Sequence, residues 1–258
     1  MKQFILDSGP DREGIVRVTN SGYRYLVHVR RLAAGEYFRA LLPGGEETNL
    51  QVLSVKENVL TCKCSSPLPP SASCEPHIIL MQALPKADKM DLIVRQAAEG
   101  GIAEIIPFIS EFSVVRTNVA GQKFSRWERI IKEARQQSGS KVQTIIRKPV
   151  STEELFEHWN EAENSAVGLI FHHIPDYNGG EGLENKSLHR YLDNNLRITA
   201  LAIGPEGGFS AREISLFIQK SFKPFTIGSS ILRTETAALY CAAAVKILLL
   251  ERESWKLK

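Results

Sequence analysis

The sequence predicts an α/β protein: a mostly parallel sheet covered by helices, preceded by a small all-β module. Three observations carry this. From Gly14 to Cys64 the chain reads as short alternating strands with Gly or Asn turn signals between them. From Cys74 onward apolar strand-like runs alternate with helical periodicity, the pattern of a parallel sheet with both faces covered. Between them, Ser65-Ser-Pro-Leu-Pro-Pro-Ser-Ala-Ser73 is an extended proline-serine connector. The expected domains are therefore residues 1–70, a β-barrel, and 74–258, an α/β domain.

In the first domain the expected strands are Gly14 to Thr19, Tyr37 to Leu42, Asn49 to Val55 and Val59 to Cys64, with one helical stretch from Tyr23 to Arg31. In the second, Asp88 precedes a helix whose Met90, Ile93, Val94, Ala97 and Ala98 share one face, and Gly100-Gly101 ends it. Glu104 to Ile109 is a strand. Ser125-Arg-Trp-Glu128 reads as a capping box opening a helix with Trp127, Ile130, Ile131 and Ala134 buried. Thr152 to Glu163 is expected to be helical, and Ala166 to Phe171 a strand ending at His172-His173.

Two glycine-bearing turns follow. Ile198 to Ile203 is a buried strand leading into Gly204-Pro-Glu-Gly-Gly-Phe209, and Ser210-Ala-Arg-Glu213 caps the next helix. Phe222 to Ile227 is a short strand leading through Gly228 to Ile231-Leu-Arg-Thr-Glu-Thr-Ala237 and a long apolar helix, where Tyr240, Leu248 and Leu249 are expected in the core. Such turns gather at the carboxyl ends of parallel strands, where ligands bind. Gly204, Gly207 and Gly208 offer bare backbone to a flat ligand. Neither a phosphate-binding G-x-x-x-x-G-K-[ST] loop nor an early G-x-G-x-x-G is present, which excludes the common nucleotide folds.

Composition excludes other classes. An apolar fraction of 43% with 24% charged residues is that of an ordinary soluble chain, not a disordered one. Met1 to Gly14 lacks an apolar signal region, and the longest apolar run, Ala237 to Val245, is stopped by Lys246, so a cytoplasmic protein without membrane contact is expected. Cys62, Cys64, Cys74 and His77 lack paired C-x₂-C zinc spacing, and His172-His173 has no acidic or thiol partner nearby in sequence; no metal is expected.

Charge is uneven. Arg116, Lys123, Arg126, Arg129, Lys132, Arg135, Lys141, Arg147 and Lys148 face only Glu128 and Glu133, an excess of roughly seven positive charges. Arg24, Arg30, Arg31 and Arg39 interleave with Tyr23, Tyr25, Tyr37 and Phe38. Cations for phosphates and rings for unpaired bases suit an RNA surface, and a solvated helix face is the alternative for 126–135. The candidate RNA contacts are Arg24, Arg30, Arg31, Lys86, Lys89, Arg116, Arg126 and Arg135.

These segments resemble the small-subunit ribosomal RNA uracil-N3 methyltransferases of type E, in the SPOUT superfamily. Gly204-Pro-Glu-Gly-Gly-Phe-Ser210 and Ile231-Leu-Arg-Thr-Glu-Thr-Ala237 are similar to its two signature motifs. Gln82-Ala-Leu-Pro-Lys-Ala-Asp-Lys-Met-Asp91, Val29-Arg-Arg-Leu-Ala-Ala-Gly-Glu36, and Arg126-Trp-Glu-Arg-Ile130 with Glu133-Ala-Arg-Gln-Gln-Ser138 resemble three more. The likeness implies a PUA-like barrel, a trefoil-knotted α/β domain, a homodimer, and S-adenosylmethionine (SAM) as cofactor. It implies action on 16S ribosomal RNA or the assembled 30S subunit.

Carried over residue by residue, the cofactor loops fall on Gly204, Glu206, Gly207 and Gly208, and on Ile227, Gly228, Ile231, Leu232 and Arg233. Phe171 and His172 form a third wall. Arg233 is the candidate catalytic residue, stabilising the uracil anion as N3 loses its proton; a phosphate clamp, or an ion pair with Glu206 or Glu235, are its other readings. The chain departs from the family at Phe112, where S-E-R-S-V has arginine, at Gly139-Ser-Lys-Val-Gln-Thr144, and at Gly100, where Glu-Leu-Gly is common.

Overall fold

The computed structural model describes residues 3–65, 75–114, 117–157, 159, 165–172, 188–192, 196–226 and 230–251. The chain forms two compact units, Met1–Cys74 with Arg135–Gln143, and Glu75–Ala134 with Thr144–Lys258.

In the first unit β1 (Ile15–Val18) leads into a short helix α1 (Asn20–Tyr23) that continues as a π-helical turn over Arg24–Val29; the helical stretch thus starts three residues earlier than periodicity suggested. Strands β2 (Tyr37–Leu41), β3 (Glu47–Lys56) and β4 (Val59–Cys64) complete an antiparallel sheet of order β1-β4-β3-β2. Glu57 and Asn58, with φ of 52° and 62°, close β3 onto β4 through a two-residue turn of the kind that needs both central residues left-handed. Alternation sends Leu50, Val52, Leu60 and Cys62 inward onto Phe4, Val16 and Leu26. Segment 135–143 joins this unit through hydrogen bonds from Gln3 Nε2 to the Arg135 and Ser140 carbonyls, at 3.0 and 2.8 Å.

The second unit runs β5 (His77–Ala83), α2 (Lys89–Glu99), β6 (Glu104–Ile109), α3 (Thr117–Ser138, its last turn in the first unit), β7 (Ile145–Ile146), β8 (Val150–Ser151), α4 (Thr152–Leu155), β9 (Ala166–Phe171), α5 (Leu188–Tyr191), β10 (Ile198–Ile203), α6 (Ala211–Gln219), β11 (Lys223–Phe225) and α7 (Thr234–Glu251). Its sheet has the order β11-β9-β10-β5-β6-β7, with β8 also on β6, and every pairing among the described strands is parallel. Both faces are buried. In β10, Leu201 and Ile203 point into a core with α2, α3 and α7, while Ala200 and Ala202 point into an aromatic core of Phe108, Phe156, Phe209, Phe217 and Phe222. A strand buried on both faces reads as a continuous apolar run, as Ile198 to Ile203 does.

Three expectations need correction. Ser125 lies inside α3, which is continuous from Thr117, so its side chain has no free helix end to cap. Of the helix expected over Thr152 to Glu163, the described residues form only the single turn α4, opened by a Ser151–Glu154 capping box and ended by a turn at Phe156; residues 158 and 160–163 lie outside the described residues. Tyr240 is 56% exposed, because α7 turns Ala238, Cys241, Ala242, Val245 and Leu249 inward and Leu239, Tyr240, Ile247 and Leu250 outward.

Gly168 in β9 is required by packing. A Cβ there would meet three atoms of the Phe222 ring at 2.7–2.8 Å, and that ring is 1% exposed. Gly168→Ala is expected to destabilise the protein by about 1–3 kcal/mol, as overpacking does in a close-packed core. Urea unfolding checks this through a lower midpoint at unchanged slope.

Candidate functional site

The register of the parallel sheet brings three strand ends together. Ile203 pairs with Phe171 and with Gln82, and Phe171 pairs with Phe225, so the chain leaves β9, β10 and β11 at one level. The turns that follow, with the N-terminus of α2 and the first turn of α7, line a cleft of ≈ 690 Å³. That size lies within the range of small-molecule sites. Phe171, His172, Gly204, Glu206, Gly207, Gly208, Ile231, Leu232 and Arg233 all line it. Ile227 and Gly228 lie outside the described residues, as do His173, Cys74 and Arg116.

The Gly204–Phe209 turn is shaped by backbone constraints. Gly208 has φ +71°, the left-handed region open chiefly to glycine, and its N–H donates to the Pro205 carbonyl at 3.0 Å. A Cβ on Gly204 would sit 3.2 and 3.3 Å from the carbonyl carbon and Cα of Gly208. Downstream, Ser210 caps α6 in a reciprocal box with Glu213. Glu213, 3% exposed, also accepts from Ser110 Oγ at 3.0 Å and from the Glu111 N–H at 3.1 Å.

The turn is tied to its neighbours at two points. Thr234, 4% exposed at the start of α7, donates its hydroxyl to the Gly204 carbonyl at 2.7 Å and accepts from Gln82 Nε2 at 3.0 Å. β5, β10 and α7 thus share one buried hydroxyl. Thr234→Val keeps the shape but leaves two buried groups without this partner. It is expected to cost about 1–3 kcal/mol and to weaken ligand binding in the cleft, both measurable by thermal unfolding with and without ligand.

The second tie is ionic. Lys89 Nζ stands 2.8 Å from Glu206 and 3.4 Å from Glu235, and Glu206 also accepts from the Lys86 N–H at 3.1 Å. Burial acts to raise the Glu206 carboxyl, but the Lys89 hydrogen bond, the backbone N–H bonds of Glu206 and Lys86 and the Lys89 charge outweigh it and hold it below the usual value. The hydrogen bond to Glu206 raises Lys89 in turn, against its own desolvation. A depressed carboxyl stabilises above its ordinary range and ceases to as pH falls through its folded value. At neutral pH the clamp is closed. Cys241 also lines the cleft, and burial pushes its thiol up, which favours the protonated, unreactive form.

The structure sorts the cationic candidates. Lys89 is held by two carboxylates at the cleft, not turned to solvent as an RNA contact would be. Arg135 is 5% exposed, its guanidinium directed at the Lys141 carbonyl, and this burial removes it from any RNA-facing surface. Arg126 pairs with Asp91 while half-exposed. Arg24, Arg30, Arg31 and Lys86 are exposed. Glu206 and Glu235 take Lys89, and the exposed Arg233 side chain has no ion pair or hydrogen bond with the described residues. Sequence reasoning missed Lys89, Thr226, Ser230, Thr234, Ala237 and Cys241 as cleft residues, although Lys89 and Thr234 sit inside segments it had singled out. Among the described residues no cluster of three or more His, Cys, Asp or Glu is placed to hold a metal, and no helix is long and apolar enough to cross a membrane.

Comparison with known proteins agrees over nearly the whole chain. The family model described as RNA methyltransferase domain matches residues 73–246. The ribosomal RNA small subunit methyltransferase E of Aquifex aeolicus is 30% identical over 237 residues, covering 89% of this chain and 93% of that protein. A solved structure from Legionella pneumophila, described as a methyltransferase in complex with the bound cofactor SAM, is 26% identical with a TM-score of 0.77, covering 95% of this chain and 97% of its own. The ribosomal RNA small subunit methyltransferase E of Neisseria gonorrhoeae, solved bound to S-adenosyl methionine, shares the fold at 22% identity and a TM-score of 0.78, covering 96% and 98%. A match of this extent on the chain carrying both glycine turns settles its kinship: the chain belongs to the ribosomal RNA small subunit methyltransferase E family.

Proposed function

We propose that this protein uses SAM to methylate N3 of a specific uridine in 16S ribosomal RNA, acting on the assembled small subunit. The observation that carries the reading is the cleft at the ends of β9, β10 and β11, with the Gly204–Phe209 turn and Ser230 to Arg233 in its wall and the Arg233 side chain without an ion pair or hydrogen bond to the described residues. The site fits the cofactor: backbone at Gly204, Gly207 and Gly208 is bare, and Phe171, Leu232 and Ala237 offer apolar surface. Bound SAM supplies an activated methyl group.

The residues then have distinct tasks. The glycine turns and the Lys89 clamp fix the cofactor in line with the acceptor, which is the larger part of a transfer that discharges a sulfonium. Arg233 stabilises the anion left when N3 loses its proton. N3 lies on the Watson–Crick edge, so the uridine must be unpaired when it reacts.

The same reading takes the first unit as a PUA-like barrel, with Arg24, Arg30 and Arg31 on RNA phosphates, and the second as trefoil-knotted. It makes the protein a cytoplasmic homodimer. The outward row Leu239, Ile247 and Leu250 on α7, beside an apolar groove of ≈ 230 Å³ against α2, supports the dimer.

Calorimetric titration with SAM tests the reading, beside Gly207→Arg, whose side chain would fill the turn. Saturable binding by the wild type, lost in the variant, is expected. Methyl transfer to unmodified small subunits, with the product mapped to uracil N3, is the second expected result. A folded wild type that binds no SAM overturns the reading and leaves an RNA-binding protein of this fold.

A further inference from the structure

Phe112 is a large aromatic side chain that the fold leaves 51% exposed, beside Val114 at 66%. Single exposed rings need no explanation on a surface, but two features set this one apart. Its backbone is fixed on both sides. Ser113 N–H donates to the Ser110 carbonyl at 2.9 Å, Ser113 Oγ to the Leu84 carbonyl at 3.1 Å, and the Glu111 N–H to buried Glu213 at 3.1 Å. Its position is also fixed, against the glycine turn. A Cβ on Gly207 would lie 3.0 Å from Phe112 Cβ and 3.5 Å from its Cγ, so the side chain rests where glycine leaves room, directly beside a residue of the cleft wall.

We infer that Phe112 is the stacking surface on which a base of the RNA substrate rests at the cleft. The inference depends on the methyltransferase reading above. An unpaired pyrimidine presented to the cleft has two apolar faces to cover. A ring on a pinned turn covers one at little entropic cost, and aromatic rings are the usual partners of unstacked bases. The Phe112 atoms nearest to where a Gly207 Cβ would stand are Cβ, Cγ and Cδ2, and with the side chain 51% exposed the outer part of the ring is available to the substrate.

The test compares Phe112→Ala, Phe112→Leu and Phe112→Trp in methyl transfer to small subunits, with SAM affinity measured on each. Ala and Leu are both expected to lower kcat/KM for RNA by roughly 5- to 150-fold, the range of one lost base–aromatic stack, chiefly through KM. Trp is expected to restore it, and SAM affinity to stay at the wild-type value in all three. Leucine covers Gly207 as well as phenylalanine does, so full activity in Phe112→Leu would overturn the inference. So would a loss of SAM affinity that tracks the loss of transfer, because the ring would then only prop the turn. A wild type that neither binds SAM nor transfers methyl removes the underlying reading instead, and is recognised without any variant.

Discussion

Arg233→Ala is expected to lower kcat for methyl transfer by about 10²- to 10³-fold, the cost of removing one preorganised group from a developing anion. The side chain lines the cleft and spends no bond on the described residues, because Lys89 already neutralises Glu206 and Glu235. Its charge is therefore available to a ligand. The pH profile separates its roles. A cation beside uracil lowers the pKa of N3–H in the complex, so its removal raises that pKa, and the rising limb of kcat against pH moves to higher pH. A phosphate clamp would instead raise KM and leave the limb in place. Arg233→Lys, which keeps the charge but not the planar fork, is expected to fall between.

Glu213→Ala is expected to destabilise the protein by about 1–3 kcal/mol for each buried donor it orphans, the largest effect on stability of any single change considered. The carboxylate caps α6 and gathers the turn after β6. One oxygen accepts from the Ser210 N–H and Ser110 Oγ, the other from the Glu111 N–H. Alanine orphans these donors in a site that is 3% exposed at Glu213. Glu213→Gln is expected to be costly as well. Each oxygen faces a backbone N–H that cannot reverse, so the amide NH₂ must oppose one of them. Chemical denaturation measures both variants, and a near-wild-type Gln variant would show that acceptor count does not matter here. Because Glu213 also holds the turn that carries Phe112, both variants should lose transfer activity beyond their loss of folded protein.

Much of the fold is legible in the sequence because its signals are local. Ile198 to Ile203 announces a doubly buried strand, Met90 to Ala98 a helix face, and Ser210 with Glu213 a helix start. Local signals also misled. Ser125 and Glu128 have the letters of a capping box, yet α3 has already begun at Thr117, and a cap has meaning only at a free helix end. Thr152 to Glu163 has helical letters, but its apolar residues Leu155, Phe156 and Trp159 are drawn separately into the aromatic core around Phe217 and Phe222, and the helix stops after one turn.

The sequence by itself determined the Gly204–Phe209 turn and the strands that lead to the cleft, and its motifs named Phe171, His172, Glu206, Ile231, Leu232 and Arg233 in the cleft wall but not Lys89, Thr234 or Cys241. These depend on φ preferences and hydrophobic period, which act over a few residues. Tertiary structure alone decided what the charges do. The basic stretch from Arg116 to Lys148 looked uncompensated, but Lys123 pairs with Asp88, Arg126 with Asp91, Arg147 with Glu104 and Lys141 with Glu47. Lys89 became a clamp in the same way, between carboxylates more than a hundred residues downstream. Coulomb attraction depends on distance in space and on burial, and neither is written in the order of the residues.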